Sequence, residues 1–197
     1  MREKKTMNVE FKRFIEGERI YLREVRLSDV NENYYRWMND PEVTKYLESR
    51  FYPNSMEGLS KYVKDKYSDK YNVFLAIILK EGDRHIGNIK LGPINFIHRF
   101  ADVALIIGEK DCWGKGYATE AIRLMTNYAF GQINLHKLTA GCYDANIGSE
   151  KCFQKAGFSI EGRRKSHYFS EGTYVDAILL GMINTREADI ETKRLSS

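Results

Sequence analysis

The residues from Trp113 to Ala121 read Trp-Gly-Lys-Gly-Tyr-Ala-Thr-Glu-Ala and combine the types needed to hold an anion. Gly114 and Gly116 let the backbone turn sharply and keep side chains off an approaching group. The segment just before them, Ala-Asp-Val-Ala-Leu-Ile-Ile-Gly over residues 101–108, is rich in β-branched and apolar residues and reads as a short strand. After them, Ala121, Ile122, Leu124, Met125, Tyr128 and Ala129 recur at helical spacing. Strand, glycine loop and helix in succession present unpaired N–H groups and the positive end of a helix dipole. A phosphate or pyrophosphate suits that geometry, although Gly-x-Gly is also simply a tight turn. The loop is not a P-loop, since no Gly-Lys-Ser or Gly-Lys-Thr stands at the required place. It lacks the third glycine and the later acidic residue of a dinucleotide fingerprint.

The elements around the loop are read in chain order. Residues 1–17 form a polar, loosely held N-terminal segment. A first strand covers Arg19 to Arg26, and Ser28-Asp29 is expected to cap a helix through Tyr34, Tyr35, Trp37 and Met38. Pro41 is expected to open a second short helix, with Val43, Tyr46 and Leu47 on one face. Another helix spans Ser55 to Tyr67. Strands follow at 72–80 and 85–92 around the turn at Gly82, with Gly87 marking a bulge or a close approach. A strand at Lys137 to Tyr143 is broken by Asp144-Ala145-Asn146. A short helix from Ser149 to Ala156 stops at Gly157, and a hairpin turning at Glu171-Gly172 ends at Ile183. Residues 184–197 are a polar tail. The pattern predicts one α/β or α+β domain on a mostly antiparallel sheet flanked by helices.

Composition narrows the classes. The 197 residues carry a net charge of +4, and 43% are hydrophobic, as in an ordinary globular domain. Cys112, Cys142 and Cys152 fit neither a zinc pattern nor a disulfide framework, so no metal is expected and a reducing, cytoplasmic setting fits. No apolar run approaches the roughly 18 residues of a membrane span, and the charged start shows no signal peptide. Arg163-Arg164-Lys165 is the one basic cluster, too small to imply nucleic acid.

Five motifs in order carry a family resemblance: the loop and helix start at 114–121, Asn-Leu-His-Lys-Leu at 134–138, Asn-Ile-Gly-Ser at 146–149, Lys-Ala-Gly-Phe at 155–158, and Glu161-Gly162. Together with the Trp-Met-Asn-Asp-Pro-Glu-Val stretch at 37–43, they resemble the GNAT superfamily of acetyl-CoA-dependent N-acetyltransferases, in its RimJ/RimL-like branch. The resemblance covers residues 18–183. It implies a three-layer fold whose sheet splays at the cofactor cleft, beside the strand Lys137 to Tyr143. It also implies that Trp113, Gly114, Lys115, Gly116, Tyr117, Ala118 and Thr119 hold the pyrophosphate of acetyl-CoA. The family's pattern has Gln or Arg where this chain has Trp113. Ile106, Ile107 and Gly108 are expected to pair their backbone with the pantetheine arm. Asn146 is expected near the thioester, or as the cap of the next helix.

The implied chemistry is attack of a neutral amine on the thioester, with a base, oxyanion donors and an acid for the departing thiolate. The family's Tyr acid is replaced here by Phe153, counted among the cofactor contacts. Ser149 takes the acid's place, or caps the helix. His167 has a suitable intrinsic pKa for the base, or is a surface residue, and Tyr168 occupies the position of a RimL-like Glu. Asp102, His98 and Glu161 are weaker candidates. The acceptor, a small-molecule or peptide amine, is expected between the first helices and the final hairpin. Tyr34, Tyr35, Trp37, Asp40 and Tyr46 lie in that region, with Tyr35 and Trp37 named as contacts. Monomer and homodimer both remain open. The contrasting reading is a CoA-binding regulatory module without turnover.

Overall fold

The computed structural model describes residues 13–185. The expected tail and most of the expected N-terminal segment, residues 186–197 and 1–12, lie outside the described residues. Among those described, eight strands form one sheet in the order β1-β2-β3-β4-β5-β6-β8-β7. β1 is Ile15–Glu16, β2 Ile20–Glu24, β3 Val73–Leu79, β4 Arg84–Leu91 and β5 Phe100–Ile107, each antiparallel to the next. β6, Lys137–Tyr143, runs parallel to β5. β7, Ser159–Ser170, and β8, Thr173–Ile183, form the closing hairpin, with β8 against β6. The helices are α1 Glu32–Asn39, α2 Met56–Lys66, α3 Tyr117–Gly131 and α4 Ile147–Ala156. The sheet therefore starts before residue 18, because Ile15 and Glu16 pair with Leu22 and Tyr21.

Strand alternation builds two cores, one on each sheet face. Ile20, Leu22, Leu75, Ile77 and Leu79 join Ile122 and Met125 of α3 and Phe153 of α4. Tyr21, Ala76 and Ile78 join Tyr34 and Trp37 of α1 and Leu59 and Val63 of α2. Each fully buried large side chain contributes roughly 1.5–3 kcal/mol by leaving water. A bulge in β4 breaks the alternation, since Ile77 faces Gly87 and Ile78 faces His85, leaving Ile86 over. The extra residue turns His85 onto the α1 face, 5.0 Å from the Trp37 ring. Gly87 is also a close approach, because a Cβ there would stand 2.1 Å from the Ile106 carbonyl oxygen.

Three local expectations need correction. Asn31, not Ser28 or Asp29, caps α1 by accepting from the N–H groups of Asn33 and Tyr34. Asp29 is buried in a bidentate pair with Arg23, at 2.7 and 2.8 Å, and its Oδ2 also accepts the Arg26 N–H at 2.8 Å, so it caps the 3-10 turn at Leu27–Asp29 rather than α1. Pro41 does not open a helix. Asp40 instead accepts from the N–H groups of Glu42 and Val43, an Asx turn, and the chain runs through turns into a 3-10 segment at Glu48–Phe51. Last, α4 starts at Ile147, before Ser149.

Gly108, just after β5, backs onto α1. A Cβ there would lie 2.0 Å from the Trp37 ring. Gly108→Ala is expected to cost about 2–3 kcal/mol by overpacking, read as a lower urea midpoint at unchanged slope. An unchanged midpoint would show that the ring has room to move.

Candidate active site

The parallel pairing of β5 with β6 stops after Phe100, Ala101 and Asp102 meet Lys137, Leu138 and Thr139. Beyond that point β6 stays with β8 along Lys137–Tyr143, while β5 stays with β4. The two strands open into a cleft of about 630 Å³.

Register decides which backbone groups face it. The Gly108 N–H donates to the Ile86 carbonyl and the Gly92 N–H to the Asp102 carbonyl. Residues 102, 104 and 106 therefore spend their backbone groups on β4, and Val103, Leu105 and Ile107 turn theirs toward the opening. Of the expected trio, Ile107 alone presents its backbone there. Ile106 pairs with Asn88, and Gly108 bonds Ile86 and backs onto Trp37. The Ile106 and Ile107 residues still line the cleft; Gly108 does not. Leu105 takes the place expected of Ile106, and the period-two alternation of β5 was the signal that could have found it. The Ile107 carbonyl accepts from the Trp113 indole N–H at 2.8 Å, so this tryptophan fastens the loop to the strand end.

The loop follows a short 3-10 turn at Lys110–Cys112. Gly114 has φ 71° and Gly116 φ 85°, conformations that favour glycine. The first bond of α3 runs from the Glu120 N–H to the Gly116 carbonyl, which leaves the N–H groups of Tyr117, Ala118 and Thr119 without intrahelical partners. Trp113, Gly114, Gly116, Tyr117, Ala118 and Thr119 line the cleft. Lys115 does not; its carbonyl points away and accepts from Arg19. Lys151 and Lys155 of α4 add positive charge to the same wall, and sequence reasoning missed both.

α4 enters from the β6 side. Its cap is Asn146, whose Oδ1 accepts from the Ser149 N–H at 3.1 Å. Ser149 is thus the third helical residue and its hydroxyl has no capping duty. That hydroxyl sits against the Cys142 thiol. Burial pushes the Cys142 thiol up to about 11, nearby Glu150 and Asp144 add to this, and Ser149 opposes it. Phe153, one turn further on, is buried edge-to-face on Phe158 and brings no hydroxyl. All three cysteines line the cleft. Among the described residues, no group of three or more His, Cys, Asp and Glu is placed to hold a metal.

Glu42, Val43, Tyr46, Leu47 and Glu48 also line the cleft, together with Tyr143 and Tyr168. The Tyr143 and Tyr168 rings stack at 4.3 Å, and the Tyr46 hydroxyl donates to the Ala145 carbonyl at 3.1 Å. Arg50 ties this segment to the hairpin, donating to the Phe169 carbonyl at 2.9 Å and lying over the Tyr143 ring. Burial, then Tyr143, raises the Tyr168 pKa, so the phenol stays protonated at neutral pH. Glu42 and Glu48 escaped the sequence reading, because a helix was expected where the chain makes turns; Tyr143 was placed on its strand but not on the cleft.

Tyr168 reaches the cleft through a second bulge. Arg164 faces Ala177 and Tyr168 faces Val175, so residues 165–167 oppose Asp176 alone. The Asp176 carboxylate accepts from Lys165 Nζ, the Ser166 N–H and Arg163. The bulge leaves His167 exposed and off the cleft wall, contrary to expectation. Trp37 is also corrected: it is 1% exposed, and its indole N–H donates to Glu109 at 2.8 Å inside the α1 core. Tyr35 lies exposed on the other side of α1 and does not line the cleft.

Comparison with known proteins gives the same architecture. The profile of the acetyltransferase (GNAT) domain matches residues 19–159. The spermidine N(1)-acetyltransferase of Escherichia coli K12 is 30% identical over 162 residues, covering 82% of this chain and 80% of the relative. An uncharacterized N-acetyltransferase, p20 of Bacillus licheniformis, is 27% identical over 173 residues, covering 87% and 96%. The fold matches the spermidine N-acetyltransferase of Vibrio cholerae, solved with CoA and spermine, at a TM-score of 0.78 and 24% identity, covering 86% and 98%.

The Lys165 ammonium first, then the Ser166 N–H and Arg163, hold the Asp176 carboxyl down at about 2. Its contribution is therefore present above the unfolded value of about 3.9 and is lost as pH falls through about 2. Asp176→Asn is expected to lower the Tm by a few degrees at pH 7 and weaken the near-ultraviolet dichroism of the tyrosine stack. The gap in Tm should close between about pH 4 and about pH 2. A stack and Tm unchanged at pH 7 would detach the bulge from this charge.

Proposed function

The chain belongs to the GNAT acetyltransferase family, and we propose that it moves the acetyl group of acetyl-CoA to the primary amine of a small cationic acceptor. It is an acyltransferase with acetyl-CoA as co-substrate. The acceptor class is our reading, and one observation carries it. The cleft joins a glycine loop suited to phosphate to the carboxylate of Glu48, set beside Tyr168 and lining the same cleft as Tyr46 and Tyr143.

The fit to acetyl-CoA rests on groups left unpaired by the fold. Beyond the last β5–β6 pair, Asp102 with Thr139, the Leu105 backbone has no pairing residue on the open side among the described residues, and suits an arm bearing amides. The N–H groups at the start of α3 suit a pyrophosphate. When bound, acetyl-CoA supplies an acetyl thioester open to nucleophilic attack. In our reading, β5 N–H groups facing the cleft stabilise negative charge developing on the thioester oxygen. The Ser149 hydroxyl donates a proton to the departing sulfur as the C–S bond breaks, since Phe153 has none to give, and the proton that the neutral amine loses on forming the amide restores the hydroxyl. Glu48 has no ion-pair partner among the described residues and receives the ammonium, while Glu42 is held by Lys110 at 2.5 Å. The unpaired Glu48 carboxylate favours a cation, and a polyamine, an amino sugar or a peptide N-terminus each presents one. Three free cysteines and the absence of a membrane-crossing helix among the described residues support a reducing, cytoplasmic setting.

Thiol release from acetyl-CoA across polyamines, amino sugars, amino acids and N-terminal peptides tests the reading. Release is expected with a cationic amine. Ser149→Ala should then lower kcat by about a hundredfold while acetyl-CoA affinity holds. An unchanged kcat would remove Ser149 from the proton path. Tight acetyl-CoA binding without release for any amine would favour the module without turnover.

A further inference from the structure

We propose that Arg19 is a positioning residue for acetyl-CoA, aiming the Gly116 N–H into the cleft from behind the glycine loop. The inference rests on the reading of that loop as the pyrophosphate site. Arg19 stands just before β2, 96 residues from Lys115 in sequence, and does not line the cleft. Its Nη1 donates to the Lys115 carbonyl at 2.8 Å. Its Nε donates to Glu120 Oε2 at 3.1 Å, and its guanidinium lies 4.8 Å from the Tyr117 ring centroid. Glu120 Oε1 in turn accepts the backbone N–H groups of Arg19 at 2.8 Å and Ile20 at 3.2 Å. One carboxylate in the first turn of α3 thus fixes both the start of β2 and the arginine that grips the loop.

The consequence follows from peptide geometry. In a planar trans peptide the carbonyl of one residue and the N–H of the next point in opposite directions. Holding the Lys115 carbonyl toward Arg19 turns the Gly116 N–H the other way, and Gly116 lines the cleft. This peptide lies between two glycines at positive φ, where the backbone otherwise rotates with little steric penalty. Without the grip, ordering that peptide would be charged against binding. Arg19 acts at this step through the peptide it holds rather than through contact with the ligand.

The test measures the acetyl-CoA Kd by calorimetry and kcat at saturating acetyl-CoA. Arg19→Ala is expected to raise Kd about tenfold, as for one lost charge-assisted hydrogen bond, with kcat and Tm near wild type. Glu120→Gln separates positioning from charge. It keeps an oxygen for the β2 N–H groups but withdraws an acceptor from Arg19 Nε, and it removes a negative charge near the loop. Positioning predicts weaker binding, by about threefold; simple attraction by Arg19 predicts tighter binding. Gly116→Val, strained at φ 85°, serves as the control for the loop itself. If Gly116→Val weakens binding and Arg19→Ala does not, the positioning role is overturned and the loop assignment stands. If neither weakens it, the pyrophosphate assignment fails and takes the positioning role with it. Tighter binding by Glu120→Gln would also overturn it.

Discussion

The structure depends on where the parallel ladder between β5 and β6 ends. Three residues on each strand pair, and the last contact is between the Thr139 hydroxyl and the Asp102 carboxylate. Past that fork each strand is committed elsewhere, β5 to β4 and β6 to β8. Backbone polar groups in the middle of a sheet are thereby left without a strand, which is rare in a folded chain unless something else pairs with them. A sheet edge opened inside the molecule suits an extended, amide-bearing ligand. The Trp113 indole takes one of its carbonyls and anchors the following loop at the same stroke.

The other parts of the cleft are aimed by devices that lie outside it. Asp176 holds a bulge so that Tyr168 turns inward. Arg50 holds the 42–51 segment against β6 and β7. Glu120 and Arg19 hold the loop peptide from its far side. Each is a charged group with at least one hydrogen bond to backbone, and such bonds are stronger and more directional than neutral ones. The half-exposed Arg19–Glu120 pair adds little to global stability, so its effect belongs to local geometry, whereas the largely covered Asp176 carboxylate bears on both. The cleft wall itself remains largely apolar and aromatic, as small-molecule sites are.

Much of this was legible in the sequence, and the failures share a cause. The loop, α3 and β6 were readable because turn glycines and periodicity are local properties. β6 was expected and found at Lys137–Tyr143. The stretch after Pro41 was misread because Asp40 makes an Asx turn that outcompetes the helix start offered by Pro41. Trp37 and Tyr35 were expected on a ligand, yet their burial is set by the face of α1 that meets the sheet. His167 and Tyr168 exchange faces through a bulge whose partner strand is needed to see it. The backbone of Leu105, not Ile106, faces the opening, because the β4 register sets that parity. Register, bulges and side-chain caps are tertiary facts, and a single sequence states them weakly.

The most direct measurement is amide hydrogen exchange at Leu105, Ile106 and Gly116 with and without saturating acetyl-CoA. The Leu105 N–H, mid-strand but facing the opening, is predicted to exchange quickly alone and to slow by at least about tenfold on binding. Gly116 should slow with it, while Ile106, already bonded to β4, should change little. A Leu105 amide that still exchanges quickly in the saturated complex would contradict the claim that the unpaired edge of β5 is where the co-substrate binds.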